Sequence, residues 1–481
     1  MTRWRSRVRV PSRPPLDTYA RHMSFERFEE FVEKVDRIDR PGSDIELRSV
    51  IAIDHDAVHR SSTGPLSDRL ILVKDNIEAV GLPCTAGSLA LEGAPVRGDA
   101  ELVSRLRAAG MIVAGSTNLS EWANIRSTGS SSGWSAVGGL TANPWALDRS
   151  AGGSSSGSGA AVAAGLVDVA IGTETDGSIT CPAALNGVVG IKPTVGSVST
   201  VGVVPVSGSQ DVPGPLARNI GVATEVLAVL SGDPDLIARS RLIDVGGLRV
   251  GVARAWLTGH AATDRVFEEA IAIIERNVHS VRDSAVPDAD SNVHEDEFTV
   301  LVHELKSDLD VYLANRVASG TNRPRSIADV VAFNHEHADR ELTHFGQEIF
   351  EMAAACTGRD SDAYRQARRR NVDWVENQCF GPAFAEFDVL IAPAYVPAWK
   401  TDFVLGHPSA GGKVTTPAAI AGLPIVTMPM GLVAGLPVGL SFVGPAASED
   451  RLIAIARRIE SALGLVNDSL WGPTFRQPSR G

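Results

Sequence analysis

Residues 152–179 read GGSSSGSGAAVAAGLVDVAIGTETDGSI, and this stretch does most to decide the fold. Its middle part, 160–165, consists of small residues and one valine, which predicts a helix packed closely on a sheet. The mainly apolar run 167–171 predicts the strand that follows. Ser154 and Ser178 stand beside glycines at the two ends of this unit. We therefore predict an α/β fold with two glycine-flanked serines as candidates for its chemistry.

Glycine- and serine-rich segments can also be flexible linkers between two domains, and both 127–133 and 152–159 have that composition. The second segment runs directly into the small-residue helix and its strand, which implies burial instead. The α/β alternation recurs on both sides of a more charged, mainly helical insertion at about 262–380, which we expect to form the substrate pocket. We predict one large domain, 23–481, with a central mixed, twisted sheet covered by helices.

The overall composition limits the class of protein. The 481-residue chain is 44% hydrophobic, has a formal net charge of −12 and a mean hydropathy of +0.03, which is typical of a soluble protein with a large core. The negative charge argues against nucleic acid or an anionic membrane as the main partner, because both attract a basic face. The composition leaves the oligomeric state open, a homodimer included.

The N-terminal segment 1–22 departs from this acidic composition. It contains six arginines: Arg3, Arg5, Arg7, Arg9, Arg13 and Arg21. It lacks a continuous apolar stretch, so it is not a secretory signal. It is either a disordered arm or an upstream translation start, and we favour the second, with Met23 rather than Met1 as the first residue. An amphipathic helix is predicted to follow from Ser24 to Arg40.

The residues that commonly bind metals form no recognisable pattern. The chain has four cysteines: Cys84, Cys181, Cys356 and Cys379. They form neither a CxxC pair nor a zinc pattern, so we interpret them as buried thiols of a protein in the reducing cytoplasm. His335-Glu336-His337 is too closely spaced for HExxH zinc chemistry, and the histidines are expected on solvated helix faces. The motifs predict no metal site and no nucleotide site.

One uncharged stretch, 414–448, is long enough to suggest a membrane span. Prolines and glycines interrupt it repeatedly, and a spanning helix tolerates few such breaks. We predict instead two buried strands, 425–428 and 438–443, joined by a turn at Gly435-Leu436-Pro437. The sequence therefore predicts no membrane partner.

Several serines compete for the role of nucleophile, which needs a base and an oxyanion hole. Ser131 and Ser155 each stand at the centre of a G-x-S-x-G pattern, the nucleophile elbow of α/β-hydrolases. Two matches so close together are expected by chance in sequence this rich in glycine and serine. Lys74 follows the apolar run 71–73 and, taken alone, would be a solvated lysine at a strand end.

A set of motifs in fixed order resembles the amidase signature family. The principal motifs are Lys74-Asp75-Asn76-Ile77, Gly152-Gly153-Ser154-Ser155-Ser156-Gly157-Ser158-Gly159 and Thr175-Asp176-Gly177-Ser178-Ile179. Further similar stretches are 117–122, 143–145, 182–184, 187–194 and 435–440. The stretches most similar to the bacterial peptide-amidase-like branch are 120–124, 172–178 and 209–211.

This resemblance implies a Ser–cis-Ser–Lys triad and an acyl-enzyme. Ser178 would attack the carbonyl carbon, and Lys74 would be the base, with a pKa lowered by desolvation. Ser154 would shuttle the proton, with its peptide bond to the preceding glycine held cis. The backbone N–H groups that would form the oxyanion hole belong to Thr175, Asp176, Gly177 and Ser178. The implied activity is hydrolysis of a small-molecule or peptide carboxamide to a carboxylate and ammonia, without a metal or organic cofactor.

Two departures from the family pattern keep alternatives open. Many members have Gly-Gly-Ser-Ile-Arg at the nucleophile, whereas Thr180 stands in place of that arginine here, which argues against a glutamine-dependent amidotransferase subunit. Asp68-Arg69 stands where members usually have a His-Gly-Ile/Val approach. An ester or carbamate hydrolase on the same triad is the nearer alternative. We expect the segments 119–135 and 300–350 to set substrate choice.

Overall fold

The computed structural model describes residues 16–316, 323–404, 410–465 and 472–476. Within these ranges the chain forms fifteen strands: β1 (Val50–Ile53), β2 (Leu70–Lys74), β3 (Ile112–Thr117), β4 (Trp134–Ser135), β5 (Gly139–Leu140), β6 (Ala142–Asn143), β7 (Ala146–Ser150), β8 (Val169–Glu174), β9 (Val189–Lys192), β10 (Val212–Ala217), β11 (Arg249–Ala253), β12 (Ser280–Ser284), β13 (Val389–Pro393), β14 (Ile425–Val433) and β15 (Leu436–Val443).

The same described ranges contain sixteen α-helices: α1 (Leu16–Ile38), α2 (Ala57–Arg60), α3 (Glu101–Ala108), α4 (Ser156–Ala163), α5 (Thr180–Asn186), α6 (Ile220–Ser231), α7 (Leu236–Leu242), α8 (Ala261–Glu275), α9 (Ser291–Arg316), α10 (Ile327–Glu336), α11 (Ala338–Glu341), α12 (Glu348–Ala355), α13 (Asp362–Trp374), α14 (Phe380–Glu386), α15 (Thr415–Ile420) and α16 (Glu449–Leu463). A short π-helical turn, Val375–Cys379, joins α13 to α14. In the part of the chain that is described, no helix combines the length and the apolarity needed to cross a bilayer.

Eleven of the described strands form one sheet in the order β1-β3-β2-β8-β10-β9-β14-β15-β13-β11-β12. β2 is parallel to β3 and β8, and β11 is parallel to β12 and β13, whereas the other neighbours are antiparallel. The predicted α/β fold with a mixed central sheet in a single domain is therefore confirmed. The edge strand β12 lies inside the mainly helical insertion, and its half-exposed sequence carries no apolar signal that predicts it.

Both faces of the sheet are covered, as β2 illustrates. Ile71 and Val73 belong to the hydrophobic cluster that also contains residues of α3 and α6, whereas Leu72 belongs to the cluster with α1 and α4. Alternate side chains of a strand point to opposite faces, so a strand buried on both faces is apolar throughout. This explains why β2 reads as a continuous apolar run that ends in a lysine.

The glycine- and serine-rich segment before α4 is a packed helix start and not a linker. All residues from Ser156 to Val162 are buried. A Cβ at Gly157 would lie 2.3 Å from the carbonyl oxygen of Ser49, and a Cβ at Gly159 would lie 2.8 Å from Asn186 Nδ2. Small residues are therefore required here because neighbouring backbone passes against the helix.

The predicted strand pair near the C-terminus is confirmed, but its turn is placed differently. β14 and β15 pair antiparallel, and the turn between them consists of Ala434 and Gly435, with φ values of 51° and 73°. Two residues with positive φ make the tight hairpin turn that suits strand twist. Leu436 and Pro437, predicted in the turn, already belong to β15, where they pair with Val433 and Leu432.

The N-terminal helix begins earlier than predicted. α1 starts at Leu16 rather than Ser24, and residues 1–15 of the predicted arm lie outside the described residues. Ser24 does not cap the helix, because its hydroxyl donates a hydrogen bond to the carboxylate of Asp68. Ser24 therefore lies inside the helix and contacts a distant segment of the chain.

Candidate active site

Lys74 is the last residue of β2 and is completely buried. Its Nζ atom lies 2.7 Å from Ser154 Oγ, 2.9 Å from Thr173 Oγ1 and 3.3 Å from the Thr173 carbonyl oxygen. Burial lowers the pKa of Lys74 to about 7, and the nearby carboxylates of Asp211 and Glu174 oppose this only in part. The alternative of a solvated strand-end lysine is therefore wrong.

Ser154 stands at the entry to α4 and is joined to Gly153 by a cis peptide bond. A Cβ at Gly153 would lie 2.3 Å from Ser120 Oγ and 2.9 Å from Ser132 Oγ, so the position has no room for a side chain. The carbonyl oxygen of Ser154 accepts the N–H of Ser120 at 3.0 Å. These contacts hold the completely buried Ser154 against Lys74.

Ser178 lies in the turn between β8 and α5, with 7% of its surface exposed. The carboxylate of Glu174 closes this turn, because one oxygen accepts the N–H groups of Ile179 at 2.7 Å and Thr180 at 2.8 Å. Burial raises the pKa of Glu174. The last residue of β8 is thus tied to the first turn of α5.

Gly177 gives the turn its shape. Its φ of 82° lies in the left-handed region, and a Cβ there would lie 2.6 Å from the hydroxyl of Tyr395. The carbonyl oxygen of Ser178 accepts the N–H of Ser155 at 3.1 Å, which connects this turn to the one that carries Ser154. The two glycine-flanked serines are therefore part of one hydrogen-bonded unit.

The N–H groups predicted for the oxyanion hole have no hydrogen-bond partner among the described residues. Within the described ranges, none of the four N–H groups at Thr175, Asp176, Gly177 and Ser178 donates a hydrogen bond to another protein atom. Buried N–H groups are nearly always paired, so four free ones in succession require an explanation. They leave room for an acceptor from outside the chain.

Ser178 lines a cavity of about 300 Å³, which is at the lower end of the range for small-molecule sites. Gly153 and Asp176 also line it, as do Asn124 and Ser132 from the segment expected to set substrate choice. The cavity therefore places the nucleophile candidate where a small molecule or one end of a peptide can reach it.

Part of the remaining cavity wall comes from the insertion 262–380, which was predicted to form the substrate pocket, and part comes from segments that the sequence analysis did not single out. The insertion contributes Asp288 and Ala289, just before α9, and His294 in the first turn of that helix. Cys181, Tyr395 and residues of 411–416 complete the described lining. No described residue of 300–350 is among those that line this cavity, and the expectation that this segment sets substrate choice stays a prediction. The later turns of α9 instead bury their apolar side chains in a separate hydrophobic cluster.

The rival serines, Ser155 and Ser131, do not face the cavity lined by Ser178. Ser155 Oγ donates to the carbonyl oxygen of Thr173 at 3.1 Å and accepts the N–H of Thr173 at 3.2 Å. Ser131 is also buried, and neither serine is among the described residues that line the cavity. This geometry gives no support to the nucleophile-elbow interpretation.

Thr173 is the site residue that sequence reasoning missed. Its hydroxyl oxygen lies 2.9 Å from Lys74 Nζ and 3.0 Å from Asn76 Nδ2, so it joins two residues of the lysine motif to β8. A threonine in a buried strand is an ordinary strand former and draws no attention. Its position five residues before Ser178 is the signal that was available.

The comparisons with known proteins agree with this fold. The family model described as Amidase matches residues 25–453. A probable amidase of Arabidopsis thaliana is 34% identical over 413 residues, covering 82% of this chain and 76% of that protein. A glutamyl-tRNA(Gln) amidotransferase subunit of Halobacterium salinarum is 34% identical over 433 residues, covering 85% of this chain and 98% of that one.

Solved structures give the same result. The native peptide amidase from Stenotrophomonas maltophilia has a TM-score of 0.84 at 39% identity, covering 92% of this chain and 96% of that chain. A 6-aminohexanoate cyclic dimer hydrolase has a TM-score of 0.74 at 26% identity, covering 94% and 95%. The chain therefore belongs to the amidase signature family, resembles its bacterial peptide-amidase-like branch, and is a hydrolase that acts on carbon–nitrogen bonds.

Proposed function

We propose that this chain hydrolyses a carboxamide to a carboxylate and ammonia through an acyl-enzyme on Ser178, with Ser154 as proton shuttle and Lys74 as base. The observation that carries the proposal is the contact of 2.7 Å between Lys74 Nζ and Ser154 Oγ inside the protein. A buried lysine whose pKa is about 7 has a lone pair available at neutral pH.

The three hydrogen-bond partners of Lys74 can accommodate an ammonium group, and they can equally accommodate the neutral amine that the proposal requires. A neutral amine has two N–H groups and one lone pair. Two acceptors on Thr173, Oγ1 and the carbonyl oxygen, receive the two N–H groups. The lone pair is then left to accept the hydroxyl proton of Ser154. As Ser154 Oγ gives up that proton to Lys74, it can accept the hydroxyl proton of Ser178.

The proposed acylation follows from these positions. Ser178 Oγ attacks the carbonyl carbon while its proton passes to Ser154 and onward to Lys74, and the carbonyl oxygen becomes an oxyanion held by the free N–H groups of 175–178. The proton then returns through Ser154 to the nitrogen, the C–N bond breaks and ammonia leaves. Water repeats the sequence on the ester and releases the carboxylate.

The same acyl-enzyme would serve an ester or a carbamate, and a glutamine-dependent amidotransferase subunit would use the ammonia with a partner. Thr180, in place of the family's frequent arginine, has its N–H bound to Glu174. The threonine side chain carries no positive charge, unlike the arginine that many members have at this position. This favours an independent amidase.

We expect the isolated protein to release ammonia from primary amides, with N-acetylated amino acid amides and C-terminal peptide amides turned over fastest. The panel should also contain the matching methyl esters, free glutamine and simple aliphatic amides, with kcat/KM measured for each. Ammonia release without a partner would exclude the amidotransferase alternative. Turnover of esters with no turnover of any amide would contradict the proposal.

The pH dependence should report Lys74. Its neutral form is the active one, so kcat/KM should rise with pH up to about 7 and lose about tenfold per unit below it. The acidic limb of the kcat/KM profile reports a group of the free enzyme. Amide and ester substrates should therefore give the same midpoint pH for this limb when the chemical step limits turnover. A profile that is flat between pH 5 and 9 would argue against Lys74 as the base.

A further inference from the structure

The turn 175–178 is held at both ends by buried carboxylates. Glu174 binds its far end, as described above. At the near end, Asp211 Oδ1 accepts the hydroxyl of Thr175 at 2.5 Å, and Asp211 Oδ2 accepts the N–H groups of Val206 at 2.8 Å and Ser207 at 2.9 Å. Asp211 thereby ties the start of the turn to the loop that precedes β10.

The strand register places the Thr175–Asp211 contact directly after the last backbone pair of β8 and β10. β8 and β10 pair antiparallel, with Glu174 opposite Val212 as the last pair. Hydrogen-bonded pairs alternate along such a ladder, and Pro213 has no N–H, so Glu174–Val212 is a hydrogen-bonded pair. Thr175 and Asp211 are next in register, in a non-hydrogen-bonded pair whose side chains lie close together.

If the hydrogen-bond ladder between β8 and β10 continued, it would use an N–H group of the 175–178 turn. The next hydrogen-bonded pair after Thr175–Asp211 would join Asp176 to Gln210. The N–H of Gln210 donates instead to the carbonyl oxygen of Ser207 at 3.0 Å, and the N–H of Asp176 is left free. The ladder therefore stops one step before it would occupy the turn.

We propose that Thr175 and Asp211 are positioning residues for the oxyanion hole: their side-chain hydrogen bond holds β8 and β10 together where the backbone ladder stops, so that the N–H groups of 175–178 stay free and aimed at the substrate's carbonyl oxygen. This inference rests on the proposed function and deepens it, because it explains how the turn is held without using its own N–H groups.

The loop that carries Asp211 is itself held by a buried carboxylate of α9. Glu304 of α9 accepts the hydroxyl of Ser207 at 2.6 Å and the N–H of Ser209 at 3.0 Å, both from the loop that Asp211 closes. Glu304 is buried and also accepts the hydroxyl of Tyr364 at 2.7 Å. The loop therefore holds Asp211 in place. A substitution at Thr175 should consequently change the orientation of the 175–178 turn without moving this loop.

The decisive variants are Thr175→Val and Thr175→Ser. Valine has nearly the same shape without the hydroxyl, whereas serine keeps the hydroxyl. The probes are the aldehyde and the alcohol of the N-acetylated amino acid whose amide is turned over fastest. Ser178 adds to the aldehyde and places an oxyanion in the hole, whereas the alcohol forms no bond and reports ordinary binding.

Thr175→Val should raise the inhibition constant of the aldehyde by about 10- to 100-fold and lower kcat by a similar factor. The reason is that N–H groups of 175–178 that no longer point at the oxyanion stabilise it less. The inhibition constant of the alcohol and KM should change by less than about threefold. Thr175→Ser should restore the aldehyde affinity. Thr224→Val, which removes a buried hydroxyl bonded within α6, should leave the aldehyde-to-alcohol ratio unchanged.

Asp211→Asn separates the geometry from the charge. An asparagine can keep all three contacts, with its oxygen on Val206 and Ser207 and its amide nitrogen donating to Thr175 Oγ1. Aldehyde selectivity should therefore be retained. The acidic limb of kcat/KM should move to lower pH, because the carboxylate that favours protonated Lys74 is gone.

Thr175→Ala removes the same hydroxyl as Thr175→Val and gives a second measurement of that loss.

Equal increases in the aldehyde and alcohol inhibition constants for Thr175→Val would overturn the inference, since that is the signature of a general structural role. Failure of serine to restore the selectivity would do the same. A wild-type protein that releases no ammonia from any amide, and binds the aldehyde no more tightly than the alcohol, would instead refute the proposed function and the inference together.

Discussion

Replacing Ser178 with alanine should lower kcat for the best amide by about 10⁵- to 10⁶-fold, because no acyl-enzyme can form without this hydroxyl. The residual rate would come from substrate binding and from the free N–H groups of the turn. We propose Ser178 for this role because it lines the cavity and lies in the turn that carries those groups. Ammonia release at saturating amide measures the effect.

Ser131→Ala is the matched control. This serine occupies the centre of a competing G-x-S-x-G pattern, is buried, and its hydroxyl has no hydrogen-bond partner among the described residues, so its loss should change turnover by less than about threefold. Mass spectrometry of the acyl-enzyme trapped with a slow ester should place the acyl group on the peptide that contains Ser178. An acyl group on Ser155, or full activity in Ser178→Ala, would refute the assignment.

Replacing Arg126 with methionine should lower the free energy of unfolding by about 3–5 kcal/mol, the cost of breaking a buried ion pair by removal of one partner. Arg126 is completely buried, and its Nη1 atom lies 2.5 Å from Glu121 Oε1 and 3.3 Å from Glu341 Oε2. Nη1 also donates to the Glu341 carbonyl oxygen at 2.7 Å. The variant leaves two buried carboxylates without their cation.

The same carboxylates connect three parts of the chain. Glu121 also accepts the N–H of Ala136 at 3.0 Å, and Glu341 accepts the hydroxyl of Ser88 at 2.9 Å and the N–H of Leu89 at 2.7 Å. The cluster thereby fixes the segment that carries the cavity residue Asn124 against the helical insertion. Its loss should be visible in both thermal and urea unfolding.

Arg365→Met provides the comparison for this stability prediction. Arg365 also pairs with a carboxylate, Asp362, at 2.6 Å, but both side chains are more than half exposed. Exposed pairs contribute little, so this variant should change the free energy of unfolding by less than about 1 kcal/mol. If Arg126→Met is no less stable than Arg365→Met, the buried cluster does not stabilise the fold as argued.

The motif residues were predictable because the constraints on them are local and steric. Gly153 has no room for a Cβ, and Gly177 needs a positive φ beside Tyr395, so the serine after each must follow a glycine. Such requirements leave a pattern of letters that can be read without coordinates. The strand pair β14–β15 was visible for a similar reason, although the turn was misplaced because two positive φ values decided it.

Thr173, Tyr395 and Arg126 left no such pattern. Each has an ordinary local sequence, and its role depends on what a distant segment places beside it: Lys74 for Thr173, the 177–178 turn for Tyr395 and Glu341 for Arg126. Contacts of this kind arise from sheet order and helix packing. A single sequence does not report either directly.

The sequence by itself determined the family, the α/β fold and the identity of the candidate chemical groups, because backbone sterics and apolar periodicity act over a few residues. Only the tertiary structure decided the properties of those groups. The pKa of Lys74 falls to about 7 because many separate segments together exclude water from it. The N–H groups of 175–178 are free because the β8–β10 ladder ends where Asp211 meets Thr175. Solvation and strand register are sums over the whole fold, so they appear only once it has formed.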